Sequence, residues 1–261
     1  MNNTDMITSI YVLVDEAVKS IPIQVKPGPK GKLSQSEIIT IMIMQPILMP
    51  FCDLKRYYRM IENNYGHLFP NIPCYTRIVK LFESSKEVLT KIMKVISNLN
   101  SFGLVVDGTC ISVMETIRGK YAKSFRNARK VPCTSKREWY WGFILVLMVD
   151  QQGTLPFASL GKDAEITQFK QMCRGLRDRW ILSDRGFRNH KWHKELWENQ
   201  QVRIKMTGGK ERQWIENIFG FLKDKLGLAR IRKIRKFSSF FVRVFSMLCA
   251  YNLKVLLNLP I

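Results

Sequence analysis

The sequence has few acidic residues for its size, and it lacks several features that mark common protein classes. It has 21 Asp and Glu against 42 Lys and Arg in 261 residues, a formal net charge of +21. The six cysteines are scattered without a Cys-x-x-Cys pair, which argues against a zinc site and a disulfide framework. No glycine-rich phosphate loop of the Walker type is present, so we expect no need for ATP. The charge excess favours a globular protein with a polyanionic partner.

No apolar stretch is both long and uninterrupted. Residues 38–49 are broken by a Gln-Pro pair, and residues 237–257 contain Arg243 and Lys254, so neither is expected to span a bilayer. The N-terminal residues have no basic segment of the kind that begins a signal peptide. We therefore expect a soluble, cytoplasmic protein with reduced thiols and no membrane partner.

The first part of the chain is predicted to be helical. Residues 7–20 carry apolar side chains at helical spacing, and the segment from Ser34 to Glu37 is a capping box that begins another helix. Further short helices follow before residue 98. We expect residues 1–98 to form a small helical domain, and its basic turns favour DNA binding. A helical cap on the rest of the chain is the alternative.

Near residue 99 the periodicity of the apolar residues changes, and the excess of basic over acidic side chains becomes larger. There are 12 basic and 8 acidic side chains before that point, and 30 basic and 13 acidic side chains from there on. Residues 99–261 alternate short apolar runs with amphipathic segments, which predicts a mixed α/β domain. The predicted strands are 102–107, 111–114, 140–149, 155–160, 179–184 and 201–206, and the predicted helices are 163–174, a segment between the last two strands, 212–225 and 237–257.

Two aspartates come directly at the end of predicted buried strands. Asp107 ends the run Val-Val-Asp, and Asp184 ends the run Ile-Leu-Ser-Asp. A carboxylate in this position is held by a rigid element and can face a cleft. Both also stand in good turn sequences, so capping a turn is the alternative for either residue alone.

A third acid lies on a predicted amphipathic helix. Arg212, Glu216 and Lys223 are spaced i, i+4 and i+11, which places them within roughly 60° of one another. The alternative is a surface ion pair between Arg212 and Glu216. Three acids in so basic a domain make sense if divalent cations neutralise them, because carboxylate oxygens suit Mg²⁺ or Mn²⁺.

Two dense basic segments, residues 118–137 and 223–236, are predicted to contact nucleic acid. The first includes Tyr121 and Phe125, which could stack on unpaired bases. A solvated charged face is the alternative. The residues predicted to bind DNA are Arg118, Lys120, Lys123, Arg126, Arg129, Lys130, Arg185, Arg188, Arg212, Lys223, Lys225, Arg230, Arg232 and Lys233.

These motifs resemble a known family over about residues 30–257. Their order and spacing are similar to the signature of the DDE transposases of bacterial insertion sequences. Residues 139–150 are similar to that family's central hairpin. The blocks that carry the resemblance are Asp107-Gly108-Thr109, Leu182-Ser183-Asp184-Arg185-Gly186-Phe187, and Arg212 through Glu216 and Phe219 to Lys223.

The resemblance implies an RNase H-like catalytic domain in which Asp107, Asp184 and Glu216 bind two Mg²⁺ or Mn²⁺ ions. It implies metal-dependent cleavage of DNA at transposon ends and transfer of the 3′ hydroxyl into target DNA. It also implies a homodimer that pairs the terminal repeats, and a bacterial cytoplasmic location with association with the nucleoid. Arg212 and Lys223 match the family's catalytic pattern and suit phosphate contacts.

One departure from the family pattern supports a second hypothesis. Gly209 stands three residues before Arg212, where the family usually has tyrosine. The alternative function is a catalytically inactive, transposase-derived DNA-binding protein that acts as a repressor or architectural factor.

Overall fold

In a computed structural model of the protein, the described residues are 2–22, 31–97, 101–114, 119, 121, 124–125, 128–133, 138–207, 209–231 and 234–259. The chain divides into two compact units. One consists of Met1–Ile96 with Lys225–Ile261, and the other of Ser97–Asp224. The sequence pattern assigned residues 225–261 to the α/β domain. The structure differs, because this C-terminal segment packs with the N-terminal helices.

The first unit is helical, as its sequence predicts. In α2, the Ser34 side chain accepts a hydrogen bond from the Glu37 amide, and the Glu37 carboxylate accepts one from the Ser34 amide, which confirms the capping box. The helix continues through Pro46, where the sequence predicted an interruption, because only one backbone bond near its end is lost. The helices are α1 (Asn3–Lys19), α2 (Gln35–Leu48), α3 (Leu54–Tyr65), α4 (Tyr75–Ser84), α5 (Lys86–Val95) and the C-terminal α9 (Phe237–Leu257).

The C-terminal helix α9 forms the core of the helical unit. It packs against α2, α4 and α5, and Asn252 Nδ2 donates a hydrogen bond to the Met93 carbonyl oxygen at 3.3 Å. Among the described residues, α9 is the one helix whose length and mean hydropathy of 1.6 would allow it to cross a membrane, against the expectation from Arg243 and Lys254. Since 67% of this apolar window is buried within the protein, packing accounts for its composition.

Over its described residues, the second unit is a six-stranded mixed sheet with three α-helices. The strand order is β2-β3-β1-β5-β6, and β4 pairs with β3 as well. The pairs among β1 to β4 are antiparallel, whereas β1 with β5 and β5 with β6 are parallel. The elements are β1 (Gly103–Met114), β2 (Arg129–Cys133), β3 (Glu138–Asp150), β4 (Phe157–Gly161), α6 (Glu165–Met172), β5 (Arg179–Ser183), α7 (His190–Gln200), β6 (Val202–Met206) and α8 (Lys210–Asp224).

This arrangement confirms the predicted fold class, an RNase H-like mixed sheet flanked by helices and preceded by a helical region. Two details differ from the sequence prediction. Strand β2 lies in the basic segment and was not predicted. The two short strands predicted on either side of Gly108 are one strand, β1. Gly108 stays in this strand because the Glu165 side chain fills the space that a Cβ would occupy.

Alternation along β1 separates its two faces. Leu104 and Val106 belong to the hydrophobic core that includes Phe169 of α6, Ile181 of β5 and Leu196 of α7. The intervening side chains of β1, among them those of residues 105, 107 and 109, are directed to the opposite face. The sheet therefore carries the predicted site residues on the face opposite this core, where their β3 partners Leu145, Leu147 and Val149 are also fully buried.

Candidate active site

Adjacent parallel strands carry the two candidate aspartates. The β1–β5 register pairs Val105 with Leu182, and two residues further along both strands the positions are Asp107 and Asp184. Asp184 keeps an extended backbone, with φ −79° and ψ 176°. Neighbouring strands lie roughly 4.8 Å apart, and residues two apart share a face. The two carboxylates are therefore carried at neighbouring positions on the same face of the sheet.

Each aspartate is oriented by a backbone amide. Asp107 is 8% exposed, and its Oδ1 accepts a hydrogen bond from the Gly108 N–H at 2.8 Å. Asp184 is half-buried, and its Oδ1 accepts one from the Gly186 N–H at 2.9 Å, which caps the 3₁₀ turn Arg185–Phe187. Asp184 thus does cap a turn, and the same contact fixes its side chain at the end of β5.

The turn after Asp184 is held in place by contacts of Phe187 with Phe169 and His193. Phe187 is fully buried and lies edge-to-face against Phe169, with ring centroids 5.2 Å apart. A ring nitrogen of His193 lies 3.1 Å from the Phe187 carbonyl oxygen, and burial lowers the pKa of His193. His193 therefore supports the position of the turn.

Helix α8 lies along β1 on the face that carries Asp107. Near its C-terminal end, Lys223 Nζ donates a hydrogen bond to Thr109 Oγ1 at 2.8 Å. Near its N-terminal end, Trp214 packs against Gly153 in the turn after β3, because its Cζ2 atom lies 3.6 Å from where a Cβ on that glycine would be. The last residue of β3, Asp150, pairs with Leu104 of β1. Since Leu104 precedes Thr109 in β1, α8 and β1 run in the same direction.

These two contacts locate Glu216 relative to Asp107. Glu216 is seven residues before Lys223, which is about 10.5 Å along the axis and within roughly 20° of the same helix face. In β1, the residue about 10 Å before Thr109 is three positions earlier, at Val106. Glu216 is therefore carried at the level of residues 106–107.

The three acids do not form a ready metal site. Glu216 is exposed on α8. In the parts of the chain that the structure describes, no group of three or more His, Cys, Asp or Glu side chains is assembled to hold a metal ion. The donors nevertheless fit a divalent ion chemically, because all three are carboxylates, and Mg²⁺ characteristically completes its shell with water and substrate phosphate oxygens.

A further acid, Glu165, lies beside Gly108, the residue that follows Asp107, on the opposite face of β1. The Glu165 carboxylate packs against Gly108, at the position where a side chain on that residue would lie. The signal for this contact in the sequence is Gly108 itself, because a glycine inside a strand marks a close approach of another group.

Apart from Lys223, which contacts Thr109, the predicted DNA-binding residues fall into three groups. Arg129, Lys130, Arg185 and Arg188 are exposed in the α/β unit, and Lys130 Nζ lies 4.5 Å from the ring centroid of Trp139. In the helical unit, Lys225 and Arg230 are exposed. Outside the described residues lie Arg118, Lys120, Lys123, Arg126, Arg232, Lys233 and the side chain of Arg212.

The class of protein that this fold and site define is confirmed by comparison with protein families. Residues 102–253 match the family described as Transposase DDE domain. The match covers more than half of the chain, and it includes β1, β5 and α8 with all three candidate acids. The protein belongs to this family and is a DDE transposase. Members of the family generally use a divalent metal ion.

Comparisons with individual proteins add little. A search of curated proteins finds no match. Among solved structures, the Mos1 mariner paired-end complex with Mn is 11% identical with a TM-score of 0.29, over 94% of this chain and 85% of that one. A pre-cleavage Mos1 transpososome is 10% identical with a TM-score of 0.24, over 92% and 82%. TM-scores this low support no conclusion about this chain.

Proposed function

We propose that this transposase cleaves DNA at the ends of its transposon and transfers the 3′ ends into target DNA. Asp107, Asp184 and Glu216 would hold two Mg²⁺ or Mn²⁺ ions. The observation that supports the proposal is the β1–β5 register, in which Val105 pairs with Leu182 two residues before Asp107 and Asp184, together with the contact between α8 and β1. The family match supports the same reaction class.

The chain's own groups have distinct roles in this reaction. Asp107, Asp184 and Glu216 would hold the divalent metal, which when bound would supply activation of the attacking oxygen and stabilisation of the leaving 3′ oxygen. Asp107 within β1 and Asp184 directly after β5 are held by rigid backbone, so little reorganisation is needed when DNA binds. Glu216 comes from a helix and is exposed, so phosphate oxygens and solvent can approach its carboxylate.

Lys223 is the positioned cation of the site. Its bond to Thr109 holds the ammonium group two residues along the strand from Asp107, on the same face. There it can bind a non-bridging phosphate oxygen and offset negative charge that develops on the transferred phosphoryl group. The place of Arg212 one turn before Glu216 on α8 suits a second phosphate contact.

The proposed partners are the terminal repeats of the transposon and target DNA, with two protomers in the synaptic complex. The net charge of +21 supports a polyanionic partner. The exposed side chains of Arg129, Lys130, Arg185 and Arg188 provide cations around the α/β unit for backbone contacts. The inactive DNA-binding alternative rests on Gly209, which lies in an exposed bend before α8.

The test is a nicking assay on plasmid DNA that carries the element's own ends. We expect cleavage with Mg²⁺ or Mn²⁺ and none with EDTA. Asp184→Asn and Glu216→Gln should abolish it, whereas the surface controls Asp163→Asn and Glu198→Gln should retain it. DNA binding without cleavage by the wild-type protein in either metal would favour the inactive alternative. Undiminished cleavage by Asp184→Asn would remove the proposed site.

A further inference from the structure

The helical unit contains a cavity of about 740 Å³ that the proposed chemistry does not use. It is bounded by the segment from Pro50 into α3, by the segment that leads into α9, and by α9 itself. All of its lining residues belong to the helical unit. Cations dominate its wall, namely Lys55, Arg56, Arg59, Arg230, Arg235 and Lys236.

Two acids also line the cavity, and both are already engaged. The Asp53 side chain caps α3 by accepting a hydrogen bond from the Arg56 N–H at 3.0 Å. Glu83 accepts one from Ser239 Oγ at 2.5 Å and lies 3.8 Å from Lys236 Nζ. The charge of the cavity is therefore strongly positive.

A buried arginine, Arg243 of α9, is part of the same wall. Its side chain is 8% exposed, and its Nη2 donates a hydrogen bond to the Pro50 carbonyl oxygen at 2.7 Å. In the described part of the chain, Nη1 has no hydrogen-bond partner. The titratable groups that act on Arg243 are Tyr57 and Cys52, and neither is an acid that could neutralise it at neutral pH. Burial lowers the pKa of Arg243 to about 10, so the guanidinium remains charged.

A buried charge without a counterion is costly, and an anion bound beside it would remove the cost. An arginine guanidinium donates charge-assisted hydrogen bonds to phosphate oxygens, and Arg243 still has Nη1 for such a bond. The remaining cations surround the same space and would attract such a group. The volume also accommodates a phosphodiester together with an adjoining sugar.

We propose that this cavity is a phosphate-binding site whose central ligand is Arg243. On the basis of the proposed function, the phosphate belongs to the backbone of a bound DNA strand. A transposase then contacts DNA through a built pocket in its helical unit, in addition to the exposed cations of its α/β unit. Free phosphate would satisfy the same chemistry, and the experiment separates the two sources.

The first arm measures phosphate binding alone, in EDTA. Thermal unfolding is followed against sodium phosphate, with sodium chloride at equal ionic strength as the reference, and an apparent dissociation constant is fitted. We expect Arg243→Met to weaken phosphate binding at least tenfold. Arg56→Met at the cavity wall should weaken it at least threefold and tests the site independently if Arg243→Met fails to fold. The control Arg77→Met removes an exposed arginine of α4 in the same unit and should change the constant less than twofold. Equal dissociation constants for phosphate in the wild-type protein and all three variants would overturn the proposal.

The second arm measures binding of duplex DNA by fluorescence anisotropy, again in EDTA. Arg243→Met should lower DNA affinity at least fivefold, and inorganic phosphate should compete with DNA at this site. An Arg243-dependent response to phosphate with unchanged DNA affinity would overturn the assignment to DNA.

The two proposals can fail separately. Asp184→Asn should lose cleavage but keep the full phosphate response. Loss of the phosphate response in this variant would contradict an independent site in the helical unit.

Discussion

Replacing Arg243 with methionine should stabilise the protein in the absence of anions. Methionine has a similar length and is apolar, so it can fill the place of the buried side chain without a charge. The structure offers the guanidinium one hydrogen bond, to the Pro50 carbonyl oxygen. A residue that stabilised the fold would be expected to have more of its donors satisfied.

The size of the effect follows from two opposing terms. Burial lowers the pKa of Arg243 well below the usual value of an arginine, to about 10. At 1.36 kcal/mol per pKa unit this corresponds to roughly 3 kcal/mol of cost for keeping the charge in the fold. Leaving the Pro50 carbonyl oxygen without its donor costs about 1–2 kcal/mol. The net gain is therefore roughly 1–2 kcal/mol, or a rise in Tm of about 2–8 °C for a chain of this size.

The assay is thermal and urea unfolding in a phosphate-free buffer of low ionic strength, with Arg77→Met as control. The gain should be constant from pH 6 to pH 9, because Arg243 is protonated in both the folded and the unfolded state over that range. It should shrink as pH rises above about 10, where the folded state releases the proton first and the wild-type protein gains stability. A loss of more than 2 kcal/mol on substitution would refute the account, since it would show that the arginine holds the fold together.

Four further predictions concern the α/β unit. Asp150 is fully buried and accepts hydrogen bonds from the Gln152 and Thr154 amides and from the Thr154 hydroxyl. Asp150→Ala should therefore lower the free energy of unfolding in urea by about 3 kcal/mol or more, and Asp150→Asn should lower it less. Gly142→Ala should cost a similar amount, because its Cβ would overlap the backbone oxygen of Ile111. Lys223→Met should slow cleavage roughly 10²-fold at saturating DNA while changing DNA affinity little. DNA affinity should fall steeply with salt, and loss of one phosphate-binding cation should reduce the logarithmic salt slope by about 1. Comparable cleavage rates for Lys223→Met and wild type, or a flat salt response, would contradict the last two.

Local sequence signals predicted the elements that carry the site. Short apolar runs that end in Asp107 and Asp184 identified two buried strands, and the helical spacing of Glu216 and Lys223 identified α8. The capping box at Ser34 likewise depends only on residues three apart. Such features can be recognised because the interaction that produces them is local.

The features that the sequence did not predict depend on contacts between distant parts of the chain. The dipeptide after Val106 has a strong turn composition, yet Gly108 continues the strand because Glu165 of another element packs against it. The charge of Arg243 indicated a break in an apolar stretch, whereas the structure buries it beside Pro50. The packing of α9 with the N-terminal helices joins the two ends of the chain, and no periodicity within α9 reveals its partners.

The central claim is that Asp107, Asp184 and Glu216 surround the same ions. Fe²⁺ in place of Mg²⁺, with ascorbate and peroxide, generates hydroxyl radicals at the metal and cuts the polypeptide nearby. In the DNA complex, mass spectrometry of the fragments should show cuts close to residues 107, 184 and 216, suppressed by excess Mg²⁺ and absent from Asp184→Asn. Cuts confined to other segments, or unchanged in Asp184→Asn, would contradict the proposed catalytic site.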